Sequence, residues 1–588
     1  MLHKGGQMDS LDMLKEVIAA ASLRKEAQLC ITNAHVLDVY NKEWFEADVL
    51  VSEGRFTGYA KPGKGRAHTI VDAKGRYMVP GFIDSHVHIE SSHATPQQFS
   101  NLVVPCGTTT VIADPHEICN VCGLDGLSYM LDASEKTALQ AFFVVPSCVP
   151  ATTFEHSGAI MLAPDLVKPL QHERVLGLGE MMDYPAVISG SSLVLDKLWE
   201  AKKAKKIIDG HSPAIHGSDL DAYCAAGIRT DHECETAQEL QQRVRRGMYV
   251  MLREGSACNN VLALLGGVNG RNNRRCIFCT DDRQPMSILS EGHINNNVRL
   301  AVAAGLDPIE AICMATINSC DCYHLGDRGA IAPGLRADFS LCNNLTEFAM
   351  HQVYIGGRLV AEDGAMLVND ESHLDQRVLG RMDVKDFTQE RLRLELSDSH
   401  VRVIDIVPGG VVTEAGKAVV TVKNGVWVHD PAQDIVKLAV IERHKGTGNV
   451  AVALLRGYGL KGGAMATSVA HDSHNIIVAG DSDEDMSLCV SHLIESGGGM
   501  VIAKHGAVLA FFAQPVAGLI SMEDGPAIAR NLENLHHIAT KELHVSNKVD
   551  PFMTLCFMSL PVIPTYKLTD MGLFDVRSFS FVPLELNK

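Results

Sequence analysis

In the stretch VPGFIDSHVHIESSH, residues 79 to 93, two histidines one residue apart follow directly on an apolar run. Side chains two apart on a strand share a face, so His86 and His88 are able to grip one cation, with Asp84 and Glu90 in the same register. Imidazole and carboxylate at that spacing are ligands for a divalent ion, whose catalytic use is to make hydroxide available near neutral pH. Similar residues stand behind later apolar runs: Asp114, His116 and Glu117 after TTTVIA, Glu180 after VLGLG, His211 after KIIDG, His232 after GIRTD, and Asp281 and Asp282 after CIFCT. One histidine at a strand end is commonly a satisfied structural residue. A set recurring at corresponding ends of successive runs is a constellation.

Such side chains need a frame that carries many strand ends to one rim. From Gly81 to about Ala332, apolar strand-like runs alternate with helical stretches, the pattern of repeated βα units on a parallel sheet. Seven or eight units closing on themselves predict an α/β fold built on a TIM-type (β/α)8 barrel, with its site at the C-terminal ends of the strands. Shorter β runs fill residues 29 to 75 and recur beyond Ala332 in GAIAPGLRADFSLCNNL and HQVYIGGRLVAEDG, which predicts one small β domain assembled from both flanks. The boundaries expected are 1–75 for an N-terminal helix and part of that β domain, 76–335 for the barrel, 336–380 for the rest of the β domain, and 381–588 for a C-terminal α+β domain with a helix over 527 to 543.

A chain of 588 residues exceeds what one core usually supports, consistent with several domains of roughly 100 to 200 residues each. Fifty glycines against 5% aromatic residues suit an interior of Val, Ile, Leu and Ala. A net charge of −18 without a basic block argues against a nucleic-acid partner, which would need clustered Lys and Arg. Residues 1 to 25 carry acidic groups and an amphipathic pattern and are not expected to act as a secretion signal. No run reaches the roughly 18 apolar residues of a membrane helix. The 16 scattered cysteines suit reduced thiols in the cytoplasm, and CNVC at 119 to 122 and CDC at 320 to 322 lack a second pair at zinc-ribbon spacing. GGVNG at 266 to 270 lacks a dinucleotide-binding context, and no phosphate-loop lysine follows a Gly-rich turn.

PGFIDSHVH at 80 to 88 and the closing segment ATINSCDCYHLGDRGAIAPGLRADF resemble the amidohydrolase superfamily. Within it, DSHVHIESS, DPHEI, GEMMDYPAV, DGHSP, TDHE, TDDRQP and the downstream GAMATSVAHDSHNIIVAGDSDEDM are together similar to the adenine deaminase family, over almost the whole chain. The resemblance implies two divalent ions per chain, Mn(II) or Fe(II) favoured and Zn(II) also compatible, with His86 and His88 on the first and His211 and His232 on the second. In place of the carboxylated lysine that bridges two metals in many members, it implies the carboxylate of Glu180, and it makes Asp281 the strand-eight aspartate, a further metal ligand, and Asp282 a purine contact. The implied reaction is hydrolysis of adenine to hypoxanthine and ammonia in the cytoplasm, by a homodimer or homotetramer. Neither nucleic acid nor membrane takes part.

On that reading Asp281 moves the water proton to the departing amino group, and Glu117 protonates N1 if burial and like charge keep it neutral. The residues also admit other roles. Glu117 is alternatively an orienting partner of His116 or of a metal ligand, Asp84 a ligand or, preferred, a turn cap, His116 a substrate contact or a backbone partner, and Glu90 a ligand or a neighbour of ligands. His471 and His474 would share a face on a helix, as a lid, a third metal point or a local hydrogen-bond network. Two rival functions are a metal-dependent cyclic amide hydrolase of hydantoinase or dihydroorotase type, which usually carries the bridging lysine, and a metal-free binding or scaffold homologue.

Overall fold

The apolar runs between Phe82 and Cys279 become parallel strands. The computed structural model describes residues 10–587 apart from 369, 371, 373 and 410. Strands β1 (Phe82–Val87), β2 (Thr108–Ala113), β3 (Gln140–Val145), β4 (Val175–Met181) and β5 (Ile207–Gly210) form one five-stranded sheet. Strands β6 (Thr230–Asp231), β7 (Tyr249–Arg253) and β8 (Cys276–Cys279) form a three-stranded one. Every pairing in both is parallel. Backbone bonds cross both seams: Arg229 N–H donates to Ile208 O at 3.0 Å, and Asp281 N–H donates to His86 O at 3.0 Å while His88 N–H donates to Asp281 O at 3.1 Å. The result is a curled parallel sheet in a mixed α/β chain.

Successive side chains of these strands serve two cores. Ile83, Ile112, Val144, Met251 and Ile277 meet inside the curl. Their neighbours Phe82, Val111, Phe143, Val250 and Phe278 face outward into the larger core under the helices. Burial on both faces explains why the runs read as continuous rather than alternating apolar sequence. Strand β6, only two residues long, is the exception, because it lies in the polar stretch GIRTDHE rather than in an apolar run.

Strands from before and after this stretch share a single nine-stranded sheet. Its junction is the antiparallel pair Tyr77–Pro80 and Phe339–Cys342, with Phe339 opposite Pro80, so the chain enters and leaves the parallel region side by side. Val36, Val49, Phe56 and Met78 pack there with Phe339, whose ring stacks on Tyr354 at 4.4 Å and 7°. The helix Leu11–Ala21 begins where the Ser10 side chain accepts from Met13 N–H, and it buries Val17 and Ala20.

Residues beyond 400 build an eight-stranded sheet whose inner strand Ile435–Ile441 is wholly buried. Helix Asp483–Ser496 covers one face, while apolar residues of the other join the same large core as the helices around the parallel strands. The helix expected at 527 to 543 spans Gly525–Lys541, two residues earlier, because Asp524 caps it and Pro526 opens its first turn. Gly525 is required at this junction, since a Cβ there would lie 2.5 Å from the Leu102 side chain. All sixteen cysteines are free thiols. Burial raises the Cys119 and Cys322 thiols well above their ordinary value. Among the described residues no helix is long and apolar enough to cross a membrane.

Candidate active site

Glu180, at the end of β4, stands at the centre of a ring of imidazoles. Its Oε1 lies 3.4 Å from His88 Nε2, 3.3 Å from His116 Nδ1 and 3.9 Å from His86 Nε2. Its Oε2 lies 2.9 Å from His211 Nδ1 and 3.2 Å from His232 Nε2. One carboxylate thus serves two separate sets of nitrogens. Asp281 closes the first set, with Oδ1 3.0 Å from His88 Nε2 and 3.5 Å from His86 Nε2. Its backbone is left-handed, φ 61°, a conformation Asp tolerates better than most residues and one that ends β8 abruptly. The second set holds His211 Nδ1 and His232 Nε2 3.2 Å apart, with Glu233 Oε1 3.3 Å from His232.

Local contacts aim these groups inward. His88 Nδ1 bonds Asp114 O at 2.8 Å, which turns Nε2 to the centre. Asp114 Oδ2 accepts from Glu180 N–H at 2.9 Å, passing so close to Gly179 that a Cβ there would lie 2.3 Å from it. Below His232, the buried Asp231 carboxylate accepts from Arg243 at 2.9 Å and from Ser212 N–H at 3.2 Å, locking the short β6 end. Asp84 is neither a turn cap nor in contact with the nitrogen sets. It ties β1 to the end of β8 by accepting from Thr280 Oγ1 at 2.5 Å and Thr280 N–H at 3.1 Å.

The donor set fits divalent cations. Two ligands of one ion with bonds of about 2.1 Å sit roughly 3.0 Å apart at a right angle and roughly 3.4 Å apart in a tetrahedron. The nitrogen and oxygen pairs around Glu180 and Asp281, mostly 2.9 to 3.5 Å, fall in that range. Burial, then the neighbouring His232, lowers His86 to about 4. Against burial, the surrounding carboxylates raise His88, His211 and His232, so in this cluster positive charge gathers around Glu180 and Asp281, where a bound cation would take its place. Burial alone would raise Glu180, but contacts with His211, His232 and His88 hold it well below the usual carboxylate range. Asp281 is likewise held low against burial, by Arg253 first and then by His86 and His88. Buried charges of this kind are paired or coordinate metals. His86 Nδ1 and His116 Nδ1 also have no hydrogen-bond partner among the described residues.

Of the residues singled out from the sequence, His86, His88, Glu180, His211, His232 and Asp281 lie together in this cluster. His116 joins it through Glu180. Asp282 lies beside it, its carboxylate accepting from Ser91 Oγ, and lines a cavity with Glu117. Glu117 is clasped by His471 Nδ1 and His474 Nε2 in direct hydrogen-bond contact. These three buried residues form a hydrogen-bonded clasp and also lie close enough together to hold a metal ion. His471 and His474 occupy a turn, not a helix. Burial would raise the Glu117 carboxyl, but the two imidazoles outweigh it and hold it well below its ordinary value, so like charge does not keep it neutral. The reciprocal effect pushes His471 up to about 9 against its burial.

Arg253 and Glu233 have no place in the sequence reading. Arg253 Nη1 donates to Asp281 Oδ2 at 2.6 Å and to Glu233 Oε1 at 2.5 Å. Its signal was its position at the end of MYVMLRE, which a scan for acidic and imidazole ligands alone passes over. The cavity beyond Asp282 is walled on its far side by Met500, Met553 and Phe557 from the C-terminal region, and Phe557 stacks on His471 at 4.4 Å and 26°.

Residues 77–360 match the model of the amidohydrolase family, and residues 410–580 match that of the adenine deaminase C-terminal domain. Adenine deaminase 2 of Desulfotalea psychrophila is 50% identical over 577 residues, covering 98% of this chain and 99% of that one. An adenine deaminase of Nitratidesulfovibrio vulgaris is 48% identical over 569 residues, covering 97% and 98%. Among solved structures, a β-aspartyl dipeptidase of Fervidobacterium islandicum aligns at a TM-score of 0.45 and 17% identity, over 60% of this chain and 100% of that one.

Proposed function

Because the chain belongs to the adenine deaminase family of the amidohydrolases, we propose that it hydrolyses adenine to hypoxanthine and ammonia at the cluster around Glu180. The observation that carries the reading is the split carboxylate, with Oε1 toward His88 and His116 and Oε2 toward His211 and His232. His86, His88, Asp281 and Oε1 of Glu180 would hold one divalent ion, and His211, His232 and Oε2 the other. When bound, such ions lower the pKa of water from 15.7 toward roughly 7 and so supply hydroxide at neutral pH.

The protein's own groups manage the protons. Asp281, kept ionised by Arg253, takes the proton of the attacking water and delivers it to the departing amino group. N1 of the purine gains a proton as C6 is attacked. We assign that proton to the pair formed by His471 and Glu117, with the imidazolium as donor, since Glu117 alone is held ionised. Asp282, braced by Ser91, contacts the purine. His116, 3.3 Å from Glu180, stands beside the ligands and is retained as a contact to the purine.

The proposal includes closure of the eight parallel strands into a (β/α)8 barrel and the four-part layout given above. It also includes Mn(II) or Fe(II) as the working ion, a cytoplasmic location and a homo-oligomer. Imidazole and carboxylate do not choose among Fe, Mn and Zn by softness. The test is turnover of adenine by purified protein, followed by ammonia release, with bound metal measured in parallel. Chelation is expected to abolish activity and Mn(II) or Fe(II) to restore it, while Glu180→Gln is expected to retain at most one ion per chain. An unchanged adenine spectrum in the metal-loaded protein refutes the reading.

A further inference from the structure

The cavity between the strand ends and the C-terminal sheet contains two buried polar atoms without a hydrogen-bond partner among the described residues. Nε2 of His93 and Oε2 of Glu90 make no hydrogen bond among the described residues, although the residues are 4% and 3% exposed. Both residues line the cavity. A buried group left unpaired costs free energy, so an unpaired donor beside an unpaired acceptor calls for a ligand carrying the complementary pair.

The chemistry of each atom follows from its neighbours. The Gln514 side-chain nitrogen lies 2.7 Å from Leu519 O and 2.9 Å from His93 Nδ1. Only the NH2 end of an amide faces a carbonyl oxygen, so this nitrogen also donates to Nδ1, which must be the bare acceptor. The ring proton is therefore on Nε2. Burial keeps the ring neutral by lowering it to about 4. Glu90 Oε1 accepts from Ile118 N–H at 3.1 Å, leaving Oε2 as the open acceptor. One turn fixes the two together, with His93 N–H donating to Glu90 O at 2.8 Å.

Resting on the assignment of adenine as substrate, we propose that this turn reads the N3/N9 edge of the purine, with His93 Nε2–H donating to N3 and Glu90 Oε2 accepting from N9–H. That edge lies opposite C6, which the reaction turns toward the cluster around Glu180. A nucleoside has no N9–H and carries its sugar there, so the same contacts select the free base. Gln514, from the C-terminal region, is a positioning residue that acts by fixing the His93 tautomer.

The experiment measures kcat and KM for adenine and competitive inhibition by 3-deazaadenine, which lacks the N3 acceptor, on the metal-loaded wild type, His93→Asn, Gln514→Leu and the double variant. Asn suits the left-handed backbone at His93, φ 55°, but withdraws the far donor. The wild type is expected to bind 3-deazaadenine at least tenfold more weakly than adenine. In His93→Asn, KM for adenine is expected to rise at least tenfold with kcat changed less, and the preference over 3-deazaadenine to vanish. Gln514→Leu should lose part of the same preference, and the double variant should be no worse than His93→Asn. A wild type that turns over adenine yet binds 3-deazaadenine equally well overturns the inference and leaves the deaminase reading standing. Full discrimination in His93→Asn does the same. Absence of adenine turnover in the wild type overturns both, and the wild-type comparison decides the matter should a variant fail to fold.

Discussion

Asp281→Asn separates chemistry from architecture. The substitution keeps the volume and removes the charge of a side chain whose Oδ2 is 2.6 Å from Arg253 and whose Oδ1 is 3.0 Å from His88. A positioned general acid–base contributes about 10²- to 10⁴-fold. At 1.36 kcal/mol per tenfold this is roughly 2.7 to 5.5 kcal/mol on the barrier. Stability should suffer less. Arg253 keeps Glu233 at 2.5 Å, so no buried charge is abandoned. The loss is then that of one charge-assisted hydrogen bond, about 1.5 to 3 kcal/mol. The assay is the disappearance of adenine absorbance under saturating substrate, with thermal melting and metal content on the same preparations. A kcat lowered at least a hundredfold in protein that still melts cooperatively and retains a metal ion is the expected result. A rate within a few-fold of wild type refutes the role given to Asp281.

Arg253→Met should instead damage the fold, because it leaves Asp281 buried and Glu233 half-buried without their shared cation. Breaking a buried pair in this way costs about 3 to 5 kcal/mol, read as a lowered denaturant midpoint, and an unchanged midpoint argues against the bridge. The clasp on Glu117 predicts a pH dependence. His471 is raised to about 9 from an ordinary value of 6.5, so its stabilising contribution is complete below about 6.5 and is lost as the pH rises through about 9. The kcat profile should fall over the same alkaline limb as the imidazolium loses its proton, and His471→Ala should erase that limb. A limb that persists in the variant assigns it elsewhere.

The strand ends were legible because most of the clustered residues directly follow a run buried on both faces, as His86 follows FIDS and Asp281 follows CIFCT, His232 behind the short β6 being the exception. The parallel character of the region was legible for the same reason. The clasp was not, since Glu117 and His471 are 354 residues apart and only the packing of the C-terminal sheet on the helices around the parallel strands brings them together. The pairing of His93 with Gln514, 421 residues apart, was hidden in the same way. Arg253 stood in plain view at a strand end but carries no lone pair for a metal, and a search guided by ligand chemistry does not stop there.

The two walls of the cavity come from distant parts of the chain. The first, with Asp282 and Glu117, continues the ring of nitrogens, and the second, with Met553 and Phe557, is supplied by the last part of the sequence. The last part of the sequence therefore carries both an apolar wall of the cavity and His471, to which the N1 proton is assigned. Drift in the final third would change what is admitted and how fast it reacts together, not one without the other.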